Sequence, residues 1–496
     1  MLEYTGHPIL DVGIATIVAF ANKNLPQELT DDDLENAADY MHQLYTDPIF
    51  TGFISITFTI NAGFTQPGFK KTPEKRNIYS ERVLRSFRKS TPVLEEKGVF
   101  LGLPVADVPF DADGKLEHGR VFRQHMPMQT GEKTINFHPG GDAGLPVSGL
   151  ALLAIQAYPL GSVKCGGRTL SIHSDSPDIM VYFAHQFLEE NRYAIQMAQL
   201  ENSKKMSEPY LKYRTLIIKT LLDALDMRQE QLDDEEPFSV TAYYMTNSGQ
   251  GAGLDIYHLP SQLIEYLAEM YSAKYRLVWQ QIEHLAWVRF KQTSKQKEAP
   301  ADFRPDRNWL YEDLFSLAED PYRNGRRFIR TYFLREAYKY ARQDQTDPRG
   351  DYSTQKEAHL VSWKLTDCFL RRIMYMETER IEQIRRLGDA LADYIKTQND
   401  KRFFRAFYVE NRYAYLRNGL IKANTAYVKS GHEPFLTLDS YISIFEDGEE
   451  LSSRDWRLAR DLVLIRLVEQ LYKNGWLSAN QDAVADVEVS DEENES

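Results

Sequence analysis

Apolar positions in the first fifty residues recur every three or four places. Leu10, Ile14, Ile17, Val18 and Ala21 fall on one face of a helix expected over 8–22. A second helix is expected to open at Thr30, with Asp33 at the third helical position completing a short-armed capping box. Its apolar stripe is Leu34, Ala37, Ala38, Met41 and Leu44. The period then shifts to two. Ile54, Ile56, Phe58 and Ile60 alternate with Ser55, Thr57 and Thr59, which predicts a half-buried strand.

Residues 61–149 are rich in glycine, proline and charge and predict short strands and loops. Thr169–Ser174 reads as a strand, and 177–199 and 212–225 as helices. Two further strands, 238–246 and 254–259, flank a glycine-rich loop, and Ser261 is placed to cap a helix reaching Tyr271. From about residue 350 the strand pattern ends, and 360–396, 401–428 and 456–476 carry helical periodicity. Residues 461–472 are apolar on more than one side, as in a helix enclosed by others. The fold class expected is α+β. A mixed domain over 1–349 is followed by an all-α bundle over 350–480 and a disordered acidic tail over 481–496.

The composition is that of a folded chain: 43% of its 496 residues are hydrophobic and 12% aromatic. Residues 9–21 are too short to span a bilayer, are interrupted by Asp11 and lack a basic leader, so neither a membrane segment nor a signal peptide is expected. With Cys165 and Cys368 as the only cysteines, no disulfide framework or cysteine-rich zinc site can be built, and a cytoplasmic location is expected. The net charge of −13 argues against nucleic acid coating the whole surface. Much of the acid is local, however. The segment 481–496 holds seven acidic residues and no basic one, and 232–236 adds another acidic run.

Basic residues are equally segregated. Lys70, Lys71, Lys75, Arg76, Arg82, Arg85, Arg88 and Lys89 form a first cluster. Arg323, Arg326, Arg327, Arg330 and Arg335 form a second, interleaved with Tyr322, Phe328, Tyr332 and Phe333. The third comprises Arg371, Arg372, Arg380, Arg385, Arg386, Lys401, Arg402, Arg405, Arg412 and Arg417. Any one such cluster is commonly a solvated helix face; three in an acidic protein fit an electrostatic path along a phosphate backbone. The loop TNSGQGAG, residues 246–253, lacks the spacing of a dinucleotide fingerprint and has no Gly-Lys-Ser/Thr. It reads either as a plain hairpin turn or as a turn presenting Asn247, Ser248 and Gln250, whose side chains can hold a backbone or read base edges. Catalytic signals are poor. His173-Ser174-Asp175 has no second histidine at a ligand spacing, and His138-Pro139-Gly140-Gly141 lacks an accompanying Gly-x-Ser-x-Gly elbow. No catalytic residue, metal or cofactor is assigned.

Three segments occur in order: YTGHPILDVGIATIVAFA (4–21), LPVSGLALLAIQAYPLGSVKCGGRTLSIHSD (145–175) and TNSGQGAGLDIYHLP (246–260). Together they resemble the large subunit of type I-B CRISPR Cascade complexes, in the branch with paired Cys-x-x-Cys motifs. Recognisable motifs span roughly 4–290, and the helical C-terminal part agrees in architecture alone. One departure stands out. The resemblance places the four cysteine positions at Gly98, Leu101, Ser162 and Cys165, so one thiolate remains and a structural zinc is not expected.

The resemblance implies a binding role. Such a subunit assembles with guide RNA and with backbone, handle-end and small subunits. It recognises a short motif flanking the target in duplex DNA, helps open the duplex, guides the displaced strand and leads to recruitment of a helicase–nuclease or a transposition adaptor. Met374 and Met376 are candidate internal starts for a separate small subunit. The nucleic-acid-binding residues expected are Asn247, Ser248, Gln250, Lys70, Lys71, Arg76, Arg85, Arg326, Arg327, Arg330, Arg385, Arg402 and Arg405. A nucleic-acid enzyme with an unrecognised site and a pure assembly scaffold stay open as alternatives.

Overall fold

A computed structural model describes residues 1–129, 131, 143–231, 236–248, 252–291, 298–446 and 455–480. The chain divides into two compact units, Met1–Ser261 and Gln262–Ser496.

In the first unit, α1 (Pro8–Phe20) and α2 (Asp31–Thr46) form where their apolar stripes predict. The Thr30–Asp33 capping box is present, with Asp33 N donating to Thr30 Oγ1 at 3.2 Å and Thr30 N to Asp33 Oδ2 at 2.9 Å. The strand expected over 54–60 is instead part of helix α3 (Pro48–Phe58). Asp47 Oδ1 accepts from Ile49 N at 2.8 Å, and Pro48 at the first helical position needs no N–H partner. The buried set is Phe50, Phe53, Ile54, Thr57 and Phe58, a helical stripe, while Ile60 is 59% exposed. The apparent alternation was thus a coincidence within a 3.6-residue period.

Helix α4 (Pro73–Leu84) and four short strands, β1 (Val93–Lys97), β2 (Pro104–Ala106), β3 (Arg120–Val121) and β4 (Leu145–Pro146), occupy the segment expected to be loops and strands. Helix α5 (Gly149–Ala157) crosses α1 so closely that a Cβ on Gly13 would collide with the Ala154 carbonyl. The main sheet is antiparallel, in the order β5 (Val163–Cys165), β6 (Arg168–Ser174), β7 (Val240–Thr246) and β8 (Gly253–Leu259). Between β6 and β7 run α6 (Pro177–Leu200) and α7 (Tyr213–Gln231).

The second unit is helical, and among the described residues its only β pairing is the isolated bridge Trp287–Asn308. It opens with α8 (Ser261–Tyr271), α9 (Arg276–Leu285), α10 (Trp309–Glu319) and α11 (Pro321–Phe328). A π-helical turn, Ile329–Phe333, extends α11. Then follow α12 (Trp363–Arg372), α13 (Thr378–Gln398), α14 (Lys401–Val409), α15 (Tyr413–Lys429), α16 (Leu438–Phe445), α17 (Asp455–Lys473) and α18 (Trp476–Ala479). Helix α17 is enclosed as its all-round apolar pattern predicts: Leu462, Val463, Ile465, Leu467 and Leu471 are fully or almost fully buried. The compact division falls at residue 261, so residues 262–349 belong with the helical unit and not with the mixed domain to which the sequence pattern assigns them. Among the described residues no helix is long and apolar enough to cross a membrane.

Candidate nucleic-acid interface

The first basic cluster faces acid from a different helix. Arg85 pairs with Asp39, with Glu35 at 3.7 Å and with Glu81 at 3.5 Å, and its side chain is only 11% exposed. Arg88 bonds Glu35 and Glu81, each at 2.6 Å, and Lys89 bonds Asp31 at 2.7 Å. These contacts fasten the segment after α4 to the acidic face of α2. Arg85 therefore ties two parts of the protein together instead of facing a phosphate path. Lys75 pairs with Asp113 at 2.6 Å, Lys71 is exposed, and the Nε of half-buried Arg76 is enclosed without a hydrogen-bond partner. The side chain of Lys70 lies outside the described residues.

The second cluster is internal. Asp461 on α17 is fully buried and accepts from Arg326 Nε at 2.7 Å, Arg330 Nη1 at 3.1 Å and Arg460 Nη2 at 2.7 Å. Burial alone would raise its carboxyl pKa; the guanidiniums, Arg330 foremost, overcome this and hold it far below the ordinary carboxylate range. Arg330 also pairs with Glu336 at 2.6 Å. Arg327 lies 3.6 Å from Asp313 and over the Tyr338 ring, and fully buried Arg335 stacks 3.5 Å above Tyr352 while bonding Glu357. Arg326, Arg327 and Arg330, expected on a nucleic-acid surface, are committed to carboxylates within this unit.

The third cluster is different. Arg385 is half-buried and bonds Glu382 at 2.6 Å. On α14, α15 and the link between them, however, Arg402, Arg405, Arg412, Arg417, Lys422 and Lys429 are all exposed. No acidic residue occurs between Glu410 and Glu433. The buried side of α15 is only Leu416, Leu420 and Ala423. Among the described residues Arg417, Lys422 and Lys429 form no salt bridge, while Arg412 pairs with Glu410 at 3.3 Å and lies 3.7 Å above the ring centroid of Tyr415, itself 56% exposed. Along α15 itself, exposed cations, an exposed aromatic ring and the lack of any acidic residue in the helix suit this surface to a polyanion. Its Lys422 and Lys429 were not among the residues singled out from sequence, although the acid-free run was legible there.

The glycine loop is only partly described. Asn247 is fully buried, its Oδ1 accepting from Arg123 Nε at 3.0 Å and its carbonyl from Arg123 Nη2 at 2.8 Å. Its N–H donates to Ile56 O at 2.8 Å. Asn247 therefore anchors the end of β7 and is not presented outward, because both ends of its peptide and its amide are occupied. Ser248 is exposed, and its hydroxyl lies 2.9 Å from Thr246 Oγ1. Gln250 lies outside the described residues, as do His138, Pro139, Gly140, Gly141 and the tail 481–496. Arg123 stands 124 residues from Asn247, and no local pattern announces it.

The residues of His173-Ser174-Asp175 serve three separate contacts. His173 Nε2 is 3.2 Å from buried Asp11, Ser174 donates to Ser239 O at 2.7 Å, and Asp175 accepts from Ser239 N at 2.7 Å. Asp11 also accepts from Thr5 N at 2.8 Å and Gly6 N at 2.7 Å, so it joins the chain entering α1 to β6. Among the described residues no three His, Cys, Asp or Glu gather in a group that could hold a metal ion. Cys165 is buried, with Sγ 3.6 Å from Leu211 O, and burial pushes its thiol up to about 11. Comparison of the chain with known protein families, with characterised proteins and with solved structures finds no match.

Proposed function

We propose that the chain is a non-catalytic nucleic-acid-binding subunit of a guide RNA complex, the large subunit of a type I-B Cascade. The three ordered sequence motifs support this reading from the first unit, and the exposed basic side of α15, a helix without acidic residues, supports it from the second. The surface is the observation that carries the binding role. Its partners are guide RNA with the other complex subunits, target duplex DNA with its displaced strand, and a helicase–nuclease or transposition adaptor recruited afterwards. Base pairing with the guide supplies most of the sequence information, and the protein supplies a path for strands and a reader of the flanking motif. On this reading the chain works in the cytoplasm and needs no cofactor.

The test is the salt dependence of strand binding by the assembled complex. Replacing Arg417, Lys422 and Lys429 by Gln removes three phosphate contacts. The slope of log affinity against log salt then becomes shallower by about 2, at ~0.7 per contact on a single strand. An unchanged slope would remove these residues from any strand path.

A further inference from the structure

Strand β8 ends the main sheet, and among the described residues no strand pairs with its outer edge. Its register with β7 is continuous from Val240–Leu259 to Thr246–Gly253. Exposed edges are ordinarily blunted by lysine, proline or a bulge, because their free backbone groups invite another strand. Over Gly253–Leu259 there is no lysine, proline or bulge, and the one charged side chain is Asp255.

Its two faces differ. Leu254, Ile256 and His258 share the face that carries Met245, Tyr243 and Thr241 on β7 and Thr169, Ser171 and His173 on β6. Helices cover that face over β6: Thr57 Oγ1 lies 2.9 Å from Thr169 Oγ1, Tyr158 OH 2.7 Å from Ser171 Oγ, and Asp11 meets His173. The cover does not extend to β8, where Leu254 is 42% and Ile256 55% exposed. On the opposite face Asp255 is ion-paired with Arg168, and the Arg214 guanidinium lies 4.9 Å from the Tyr257 ring centroid.

We infer that β8 is a docking edge that accepts an extended segment of another protein by strand addition. A strand edge demands an extended backbone rather than a helix. Leu254 and Ile256, two residues apart, call for apolar side chains at alternate positions of the incoming segment. The carboxylate on the edge is already neutralised by Arg168, so the charge-complementary partner is an uncharged segment and not a polyanion. A second copy of β8 fits less well. Antiparallel self-pairing centred on Ile256 would set each Leu254 against a His258, and self-pairing centred on Asp255, which matches Leu254 with Ile256, would set the two Asp255 side chains directly opposite each other.

This inference does not rest on the nucleic-acid reading, and its failure leaves that reading standing. The experiment uses the full chain and two fluorescein-labelled peptides, one alternating Val and Thr, the other with the same residues in two blocks. Saturable binding of the alternating peptide is expected, with exchange of the 253–259 amides slowed at least about tenfold. Ile256→Lys, a surface change that leaves the melting curve intact, is expected to abolish both effects. Equal binding of the two peptides, or unchanged exchange at 253–259 with the alternating peptide in excess, overturns the inference. A concentration-dependent dimer in sedimentation that Ile256→Lys abolishes also overturns it, by making the occupant a second copy.

Discussion

Asp461→Asn tests the reading that the arginines of α11 and the turn after it hold the helical unit together. The wild-type carboxylate is fully buried and neutralises Arg326, Arg330 and Arg460. The variant takes that charge away from all three guanidiniums, while Arg330 keeps its contact with Glu336 at 2.6 Å. Removing one partner of a buried pair costs about 3–5 kcal/mol, because the remaining charge stays desolvated. For a unit of this size each kcal/mol moves the melting temperature by about 2–4 °C, so a fall of roughly 6–20 °C is expected. Scanning calorimetry of the full chain reads it directly. Adding Arg460→Leu removes one of the buried cations that faced the lost carboxylate and is expected to restore part of the loss. The pH dependence follows from the depressed folded pKa. The contribution is full above the unfolded aspartate value of about 3.9 and is lost as pH falls from there toward the lower folded value. A melting temperature within about 2 °C of wild type would refute the keystone role of Asp461.

Three further predictions concern the first unit. His125 is fully buried, 2.7 Å from Phe110 O, with its Nδ1 accepting from Phe122 N at 3.2 Å; burial lowers its pKa to about 4. A depressed histidine pKa stabilises the fold above its unfolded value near 6.5 and less so as pH falls toward 4, an effect of about 3 kcal/mol. Melting curves between pH 7 and 4 should show this slope, and His125→Gln should flatten it. Asn247→Ala should lower stability by about 1–3 kcal/mol in a urea titration, because Arg123 and buried backbone lose their partner; an unchanged midpoint would contradict the anchoring role. Arg85→Gln should leave strand affinity and its salt slope unchanged, since that guanidinium is spent on Glu35, Asp39 and Glu81. A shallower slope would return Arg85 to the interface.

Elements whose apolar stripe and cap agreed were legible from sequence. Helices α1 and α2, the strands around 169–174 and 240–259 and the enclosed helix α17 fall where their patterns place them. The strand expected over 54–60 fails because Ile54, Ile56 and Phe58 satisfy a period of two by chance, while Asp47-Pro48, a helix-opening pair, is the better signal. The basic clusters show what a linear reading misses. A run of cations is visible, but its neutralising partners lie far along the chain, at 31–39 for the first cluster and at Asp461 for the second. What was legible for the third was the lack of acid between Glu410 and Glu433, which needs no distant partner to interpret.

The most direct test of the central claim is co-expression of the tagged chain with the other proteins of a Cascade and a guide RNA. Purification is followed by binding to duplex targets whose flanking sequence is varied. The account predicts that guide RNA co-purifies with the chain and that duplex affinity depends on the flank. A stable isolated chain that ignores both guide RNA and flanking sequence would contradict it.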